Sequence, residues 1–310
     1  MSNSEESRGL GRREFLTGAA LAAALAAGAG EIPPKVLKPY RWQDLTVDDF
    51  AAAAEDCRGV CVVPLGCLEK HGYQLPLGTD ALVATEVCER AARMERAMVF
   101  PFSPFGHVYG VQHKRGTVAL RAETLLAVLN DLCEELSRNG LKKIIILNDH
   151  GGNNPLLGHF LRDRLGARRD YAVYHLFKFQ FVGDQQAEFL RRIGRTELPE
   201  LGHADIVETA EMMAIDRTLV HMDRVVPEET RATHRLSALN KLGVRTSVDW
   251  YSDYPHQIAG DPRGATPELG EWLLDTWAAN LAQVIRLVRD DRVTPTLLDE
   301  YYTACTRPSR

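Results

Sequence analysis

Pro64-Leu-Gly-Cys-Leu-Glu69-Lys-His71-Gly-Tyr-Gln-Leu-Pro-Leu-Gly-Thr-Asp80 follows directly on the β-branched run Val60–Val63, and that junction decides the fold. A strand of Val-Cys-Val-Val character ends at Pro64. Glu69 and His71 therefore fall on a loop beyond the strand's carboxyl end, where open α/β sheets place their ligands. Side chains two apart can converge where the backbone is extended. Glu69 and Asp80 offer oxygen and His71 offers nitrogen, the mixture used by catalytic zinc and by manganese or iron. Taken alone, the triple reads equally well as solvated polar residues in a Gly/Pro-rich loop.

Two further clusters repeat the pattern. Asn148-Asp-His150-Gly151-Gly152-Asn153 follows the apolar run Lys143–Leu147, so His150 also stands at a strand end beside a glycine turn. Gly202-His203-Ala-Asp205-Ile-Val-Glu208-Thr209 places His203 and Glu208 five apart, which suits a loop leading into a helix over Ile206–Ile215 with Glu208 in its first turn. Each has an ordinary structural reading: a turn, a surface histidine, or a carboxylate favoured at a helix N-terminus. Three such clusters, each at its own strand or helix end, point instead to one assembled metal site.

The segments 64–80, Asn148–Asn153, His203–Thr209 and the Gly-Asp-Pro-Arg-Gly-Ala-Thr-Pro stretch from Gly260 stand in one order along the chain. In that order they resemble the creatininase family, the metal-dependent amidohydrolases, over roughly residues 40 to 290. The resemblance implies a three-layer α/β sandwich, with a mostly parallel central sheet covered by helices on both faces. It implies two divalent ions (Zn, Mn or Fe) held by Glu69, His71, Asp80 and His150, with Asp80 as the bridge and Glu208 as the remaining ligand. A shared carboxylate suits two dications about 3.5–4 Å apart, which otherwise repel each other. It also implies a homo-oligomer, such as a hexamer.

The chain departs from creatininase proper at two places. Gly152 stands where a glutamate follows the second-motif histidine, which shifts a ligand's duty onto Glu208. Gly202 stands where a glutamate precedes the histidine matching His203. The resemblance makes His203 the proton-transfer group and His113 a further histidine near substrate, and an imidazole titrates near neutrality as that role requires. Asp205 is the available partner to orient His203. Lys114 and Arg115 would favour an anionic substrate if they faced the pocket; otherwise they face water.

The chemistry implied is hydrolysis of a C–N bond in a small, cyclic amide by a metal-activated hydroxide. The backbone amides of Gly151 and Gly152, with Asn153 at the start of a helix over 153–165, are the candidate oxyanion and substrate donors. Two alternatives stand beside this reading. One is hydrolysis of a sugar-derived or inositol-type ring, and the other is a secreted metal- or solute-binding protein that kept the fold without turnover.

Gly11-Arg12-Arg13-Glu-Phe-Leu, the apolar run 17–27 and the Ala27-Gly-Ala29 site read as a twin-arginine signal peptide over residues 1–29. Residues 30–310 then form a single hydrolase domain, exported by the twin-arginine translocase to the periplasm or beyond. The apolar run is shorter than the ~20 residues a membrane span needs. A net charge of −5 over 310 residues makes nucleic acid an unnatural partner, leaving a small-molecule substrate. Six cysteines show no Cys-x-x-Cys pair and predict no disulfide. The remaining pattern predicts helices over Ala81–Met98, Thr124–Asn139 and Pro267–Asp290, a strand over Tyr171–Leu176, and a tail from Arg292 that packs on a neighbour or frays. Trp250-Tyr-Ser-Asp-Tyr254 is placed at a pocket, at a subunit contact, or half-buried on a loop.

Overall fold

The computed structural model describes residues 37–178 and 180–307; the twin-arginine segment lies outside them. Five parallel strands form one sheet in the order β1-β3-β2-β4-β5. They are β1 (Tyr40–Arg41), β2 (Val60–Leu65), β3 (Met98–Val99), β4 (Lys143–Asn148) and β5 (Ala172–Phe177). Helices α1 (Val47–Asp56), α2 (Thr79–Met94), α3 (Ala122–Arg138), α4 (Asn154–Asp163) and α5 (Gln185–Arg192) interleave with them. After β5 come α6 (Ile206–Asp216), the short α7 (Ser237–Asn240) and α8 (Asp249–Asp253), then α9 (Pro267–Asp290) and α10 (Val293–Thr306).

The sheet is buried on both faces, which is why its central strands read as unbroken apolar runs. Val60, Val62, Ile145 and Leu147 pack with α2, α6 and α9 in one core. Cys61, Val63, Leu65, Ile144 and Ile146 point the other way and pack with α3 and α4. The alternation along each strand thus builds the three layers. Helix α9 begins at Pro267 with Thr266 accepting the Leu269 amide as its cap. Gly270 lets α9 lie directly on α6, because a Cβ there would fall 1.9 Å from the Ala210 carbonyl oxygen.

Three expectations change. The helix expected over Ala81–Met98 starts at Thr79 and ends at Met94, and Met98 belongs to β3, paired between Tyr40 and Cys61. The helix expected from Asn153 begins one residue later, after a 3-10 turn over Gly151–Asn153. The tail from Arg292 is a helix, α10, fixed by the Asp291 carboxylate accepting the Val293 and Thr294 amides and by Tyr302 donating to the Arg164 carbonyl. Proline at 295 lies in its first turn, where a missing amide costs nothing. The six cysteines carry free thiols. No described helix is long and apolar enough to cross a membrane.

Candidate metal centre

Register brings the first two clusters together. Leu65 at the end of β2 pairs with Asn148 at the end of β4, and the Asp149 amide continues the ladder by donating to the Leu65 carbonyl. The loops carrying Glu69, His71 and His150 therefore leave the sheet side by side. Gly66 lets the first turn of α2 close over them, since a Cβ there would meet Ala81 at 2.3 Å. Asp80 in that turn is thereby delivered onto the same spot.

Asp80 faces two ways. Its Oδ1 lies 2.7 Å from His71 Nε2, and that nitrogen lies 3.8 Å from Glu208 Oε2. Its Oδ2 lies 3.2 Å from His150 Nδ1, which is 2.8 Å from Glu69 Oε1. Glu69, His71, Asp80, His150, His203 and Glu208 are all buried, and their donor atoms fall into overlapping metal-sized groups. Cys67 joins the Glu69–Asp80–His150 group, its Sγ 3.1 Å from Asp80 Oδ2. It is a donor outside the expected set.

So many buried carboxylates demand positive charge. Burial works against charge on His71, yet Asp80, Glu208 and Glu69 push its pKa up to about 10. Burial likewise opposes the charged His150, and Glu69 and Asp80 raise it well above the ordinary value. Burial alone would raise the Asp80 carboxyl; His71 and His150 hold it well below. Burial and Asp80 raise the remaining Glu208 carboxyl to about 7 against the pull of His71. The donor set, oxygen and nitrogen in equal measure, fits divalent ions.

His203 differs from the other two histidines. Burial and the neighbouring His71, whose ring is 4.2 Å away, push its pKa down. Its Nε2 lies 2.8 Å from the Lys70 carbonyl oxygen, which can only accept, so the proton sits on Nε2. Nδ1 is left with a lone pair, 3.9 Å from Glu69 Oε1. The Trp250 ring stands edge-on at 5.7 Å, held by its Nε1 donating to Gln257 Oε1. Asp205 does not orient the imidazole. It caps α6, accepting from the amides of Gly202, Val207 and Glu208. Ala204 between them adopts a left-handed φ of 53°, its amide donating to Glu208 Oε2 and its carbonyl accepting from Gln74. That turn swings His203 and Glu208 towards the same centre.

The other expected residues lie around this core. Gly151 and Gly152 form the exposed turn directly after His150. Asn153 is buried and fully engaged, accepting from the His107 amide and donating to Asn148 Oδ1. It braces the two loops. His113 is exposed, edge-on to Tyr251 at 5.0 Å, on the rim that carries Trp250. Lys114 is half-buried and Arg115 exposed in the same loop. Behind the ligands, Lys178 Nζ bridges Asp149 and Glu211 at 2.7 and 2.9 Å, all three buried. This bridge ties the His150 loop to the helix that carries Glu208.

A family model described as creatinine amidohydrolase, Creatininase, matches residues 43–285. The chain belongs to the creatininase family. It is 32% identical over 259 residues to the creatinine amidohydrolase of Pseudomonas putida, covering 78% of this chain and 95% of that protein. It is 24% identical over 268 residues to a 3-dehydro-scyllo-inosose hydrolase of Thermotoga maritima, covering 80% and 82%. Among solved structures, a Zn-Zn form of a mutant creatininase and a manganese creatininase each superpose with a TM-score of 0.66 at 27% identity, over 82% of this chain and all of theirs. The chain is thus a hydrolase of the creatininase family, with the three-layer fold and a cluster of buried side chains able to hold metal.

Space at position 152 is tight. A Cβ on Gly152 would lie 2.5 Å from His150 Nε2 and 2.9 Å from the His107 carbonyl oxygen. A side chain at 152 therefore requires His150 or the His107 backbone to shift, and the buried Glu208 carboxylate stands with Asp80 near His71.

Proposed function

We propose that this chain is an exported hydrolase that opens a C–N bond of a small, cyclic amide at a centre of two divalent ions bridged by Asp80. The observation that carries the reading is the two-sided placement of Asp80, with His71 on Oδ1 and His150 on Oδ2. Glu69, His150 and Asp80 would hold one ion; His71, Glu208 and Asp80 the other. When bound, such ions lower the pKa of water towards neutrality and polarise a carbonyl.

The chain's own residues supply the rest. His203, kept neutral and with its proton fixed on Nε2 by the Lys70 carbonyl, presents Nδ1 to take a proton from the attacking water and return it to the leaving nitrogen. Trp250, perpendicular to that ring, is an aromatic side chain beside His203 against which a small ring could pack. The exposed amides of Gly151 and Gly152 lie beside His150, available as donors to a developing oxyanion. His113 and Tyr251 form the outer rim.

A second reading, hydrolysis of a sugar-derived or inositol-type ring, is favoured by the similarity to the inosose hydrolase. A panel of cyclic amides, formamides and inositol-derived ring ketones separates the two. His203→Ala should lower turnover of the accepted substrate by about 10²–10⁴-fold with metal content unchanged. Turnover unaltered by that change would remove His203 from the mechanism. Export by the twin-arginine route and assembly into a homo-oligomer belong to the same proposal; fractionation of the host cell and light scattering test them.

A further inference from the structure

We infer that Cys67 is a sulphur ligand in the Glu69–Asp80–His150 half of the centre, and that it gives this half a preference for zinc over manganese. The inference rests on the metal-centre reading and adds a donor that the oxygen and nitrogen set does not contain. Cys67 is not an isolated thiol: its Sγ, a Glu69 oxygen, an Asp80 oxygen and a His150 nitrogen all lie within 4.8 Å of one another, and all four residues are buried.

The spacing suits a common coordination sphere. Zinc bonds of about 2.0–2.3 Å give a tetrahedron with edges of about 3.3–3.7 Å. The observed edges are 3.1 Å from Cys67 Sγ to Asp80 Oδ2, 3.2 Å from Asp80 Oδ2 to His150 Nδ1 and 2.8 Å from His150 Nδ1 to Glu69 Oε1. They are slightly contracted, as expected where hydrogen bonds hold the donors until an ion separates them. The backbone aims the sulphur. Gly66 lets the first turn of α2 press Asp80 against it, and Gly106 abuts the Cys67 Cβ, since a side chain there would come within 2.5 Å.

Thiolate is a soft ligand that favours zinc and cobalt, whereas manganese prefers oxygen. Four protein donors would close this half of the centre in the manner of structural zinc. The open position would then belong to the His71–Asp80–Glu208 half, beside the His203 ring. That division would leave the contact with substrate to the half held by His71, Asp80 and Glu208.

Cobalt tests the assignment without using activity. The metal-free full chain is loaded with Co(II), uptake is measured by elemental analysis, and the near-ultraviolet spectrum is recorded for wild type and Cys67→Ser. The inference expects an intense sulphur-to-cobalt charge-transfer band in the wild type that the variant lacks. It also expects the variant's zinc-over-manganese preference, measured by competition, to fall by about tenfold or more. Cobalt-loaded wild type without that band would place the sulphur outside the coordination sphere and overturn the assignment. Failure of the wild type to take up cobalt at all would overturn the metal-centre reading itself, so the two failures are distinct.

Discussion

Gly152 shows how a single missing side chain shapes this site. With His150 Nε2 only 2.5 Å and the His107 carbonyl 2.9 Å from the place of a Cβ, even Gly152→Ala forces one of them to shift and disturbs the His150 contacts to Glu69 and Asp80. That variant should bind metal at least about tenfold more weakly and lose activity in step, which chelator competition and initial rates will show. The six side chains that the structure brings together, Glu69, His71, Asp80, His150, His203 and Glu208, stand in short motifs at strand and helix ends and so could be singled out in the sequence. Cys67, the steric demand at 152 and the capping role of Asp205 were not. The first two depend on atoms brought from elsewhere in the chain, Asp80 against Cys67 and the His107 carbonyl against Gly152, whereas the Asp205 cap is local, made with the amides of Gly202, Val207 and Glu208.

Among elements, α6 and α9 meet at Gly270, and their closeness fixes how deep Glu208 reaches. Gly270→Ala puts a methyl 1.9 Å from the Ala210 carbonyl and 2.9 Å from the Ala214 Cβ, so the helices must part. The expected cost is about 1–3 kcal/mol in urea unfolding, with weaker metal retention as Glu208 withdraws. The strand-helix alternation and α9 were readable from periodicity and caps. The two-residue strands β1 and β3 were not, because they exist only through pairing across the sheet. Helix α10 was not readable either, since its Pro- and Thr-rich start reads as loop until Asp291 caps it.

Asp291 gives that helix a pH signature. Burial would raise its carboxyl, but hydrogen bonds from Thr294, Tyr174 and the Val293 amide outweigh it and hold the pKa at about 2. The unfolded value is about 3.9. A folded value below the unfolded one means the stabilisation is complete above about pH 4 and is lost as the pH falls through about 2. Asp291→Asn should therefore lower the melting temperature at pH 7, and the gap to wild type should close towards pH 2. A gap that persists there would assign the effect to packing.

At the scale of the whole molecule, five parallel strands and two helical layers serve to hold loop ends from β2 and β4 against α2 and α6. The central claim is that the cluster they form is one centre for two ions joined through Asp80. It is tested most directly by elemental analysis of purified protein, wild type against Asp80→Ala. The account predicts close to two divalent ions per chain in the wild type, falling to one or fewer in the folded variant. Two ions retained without Asp80, or a wild type that holds a single ion under saturating metal, would contradict it.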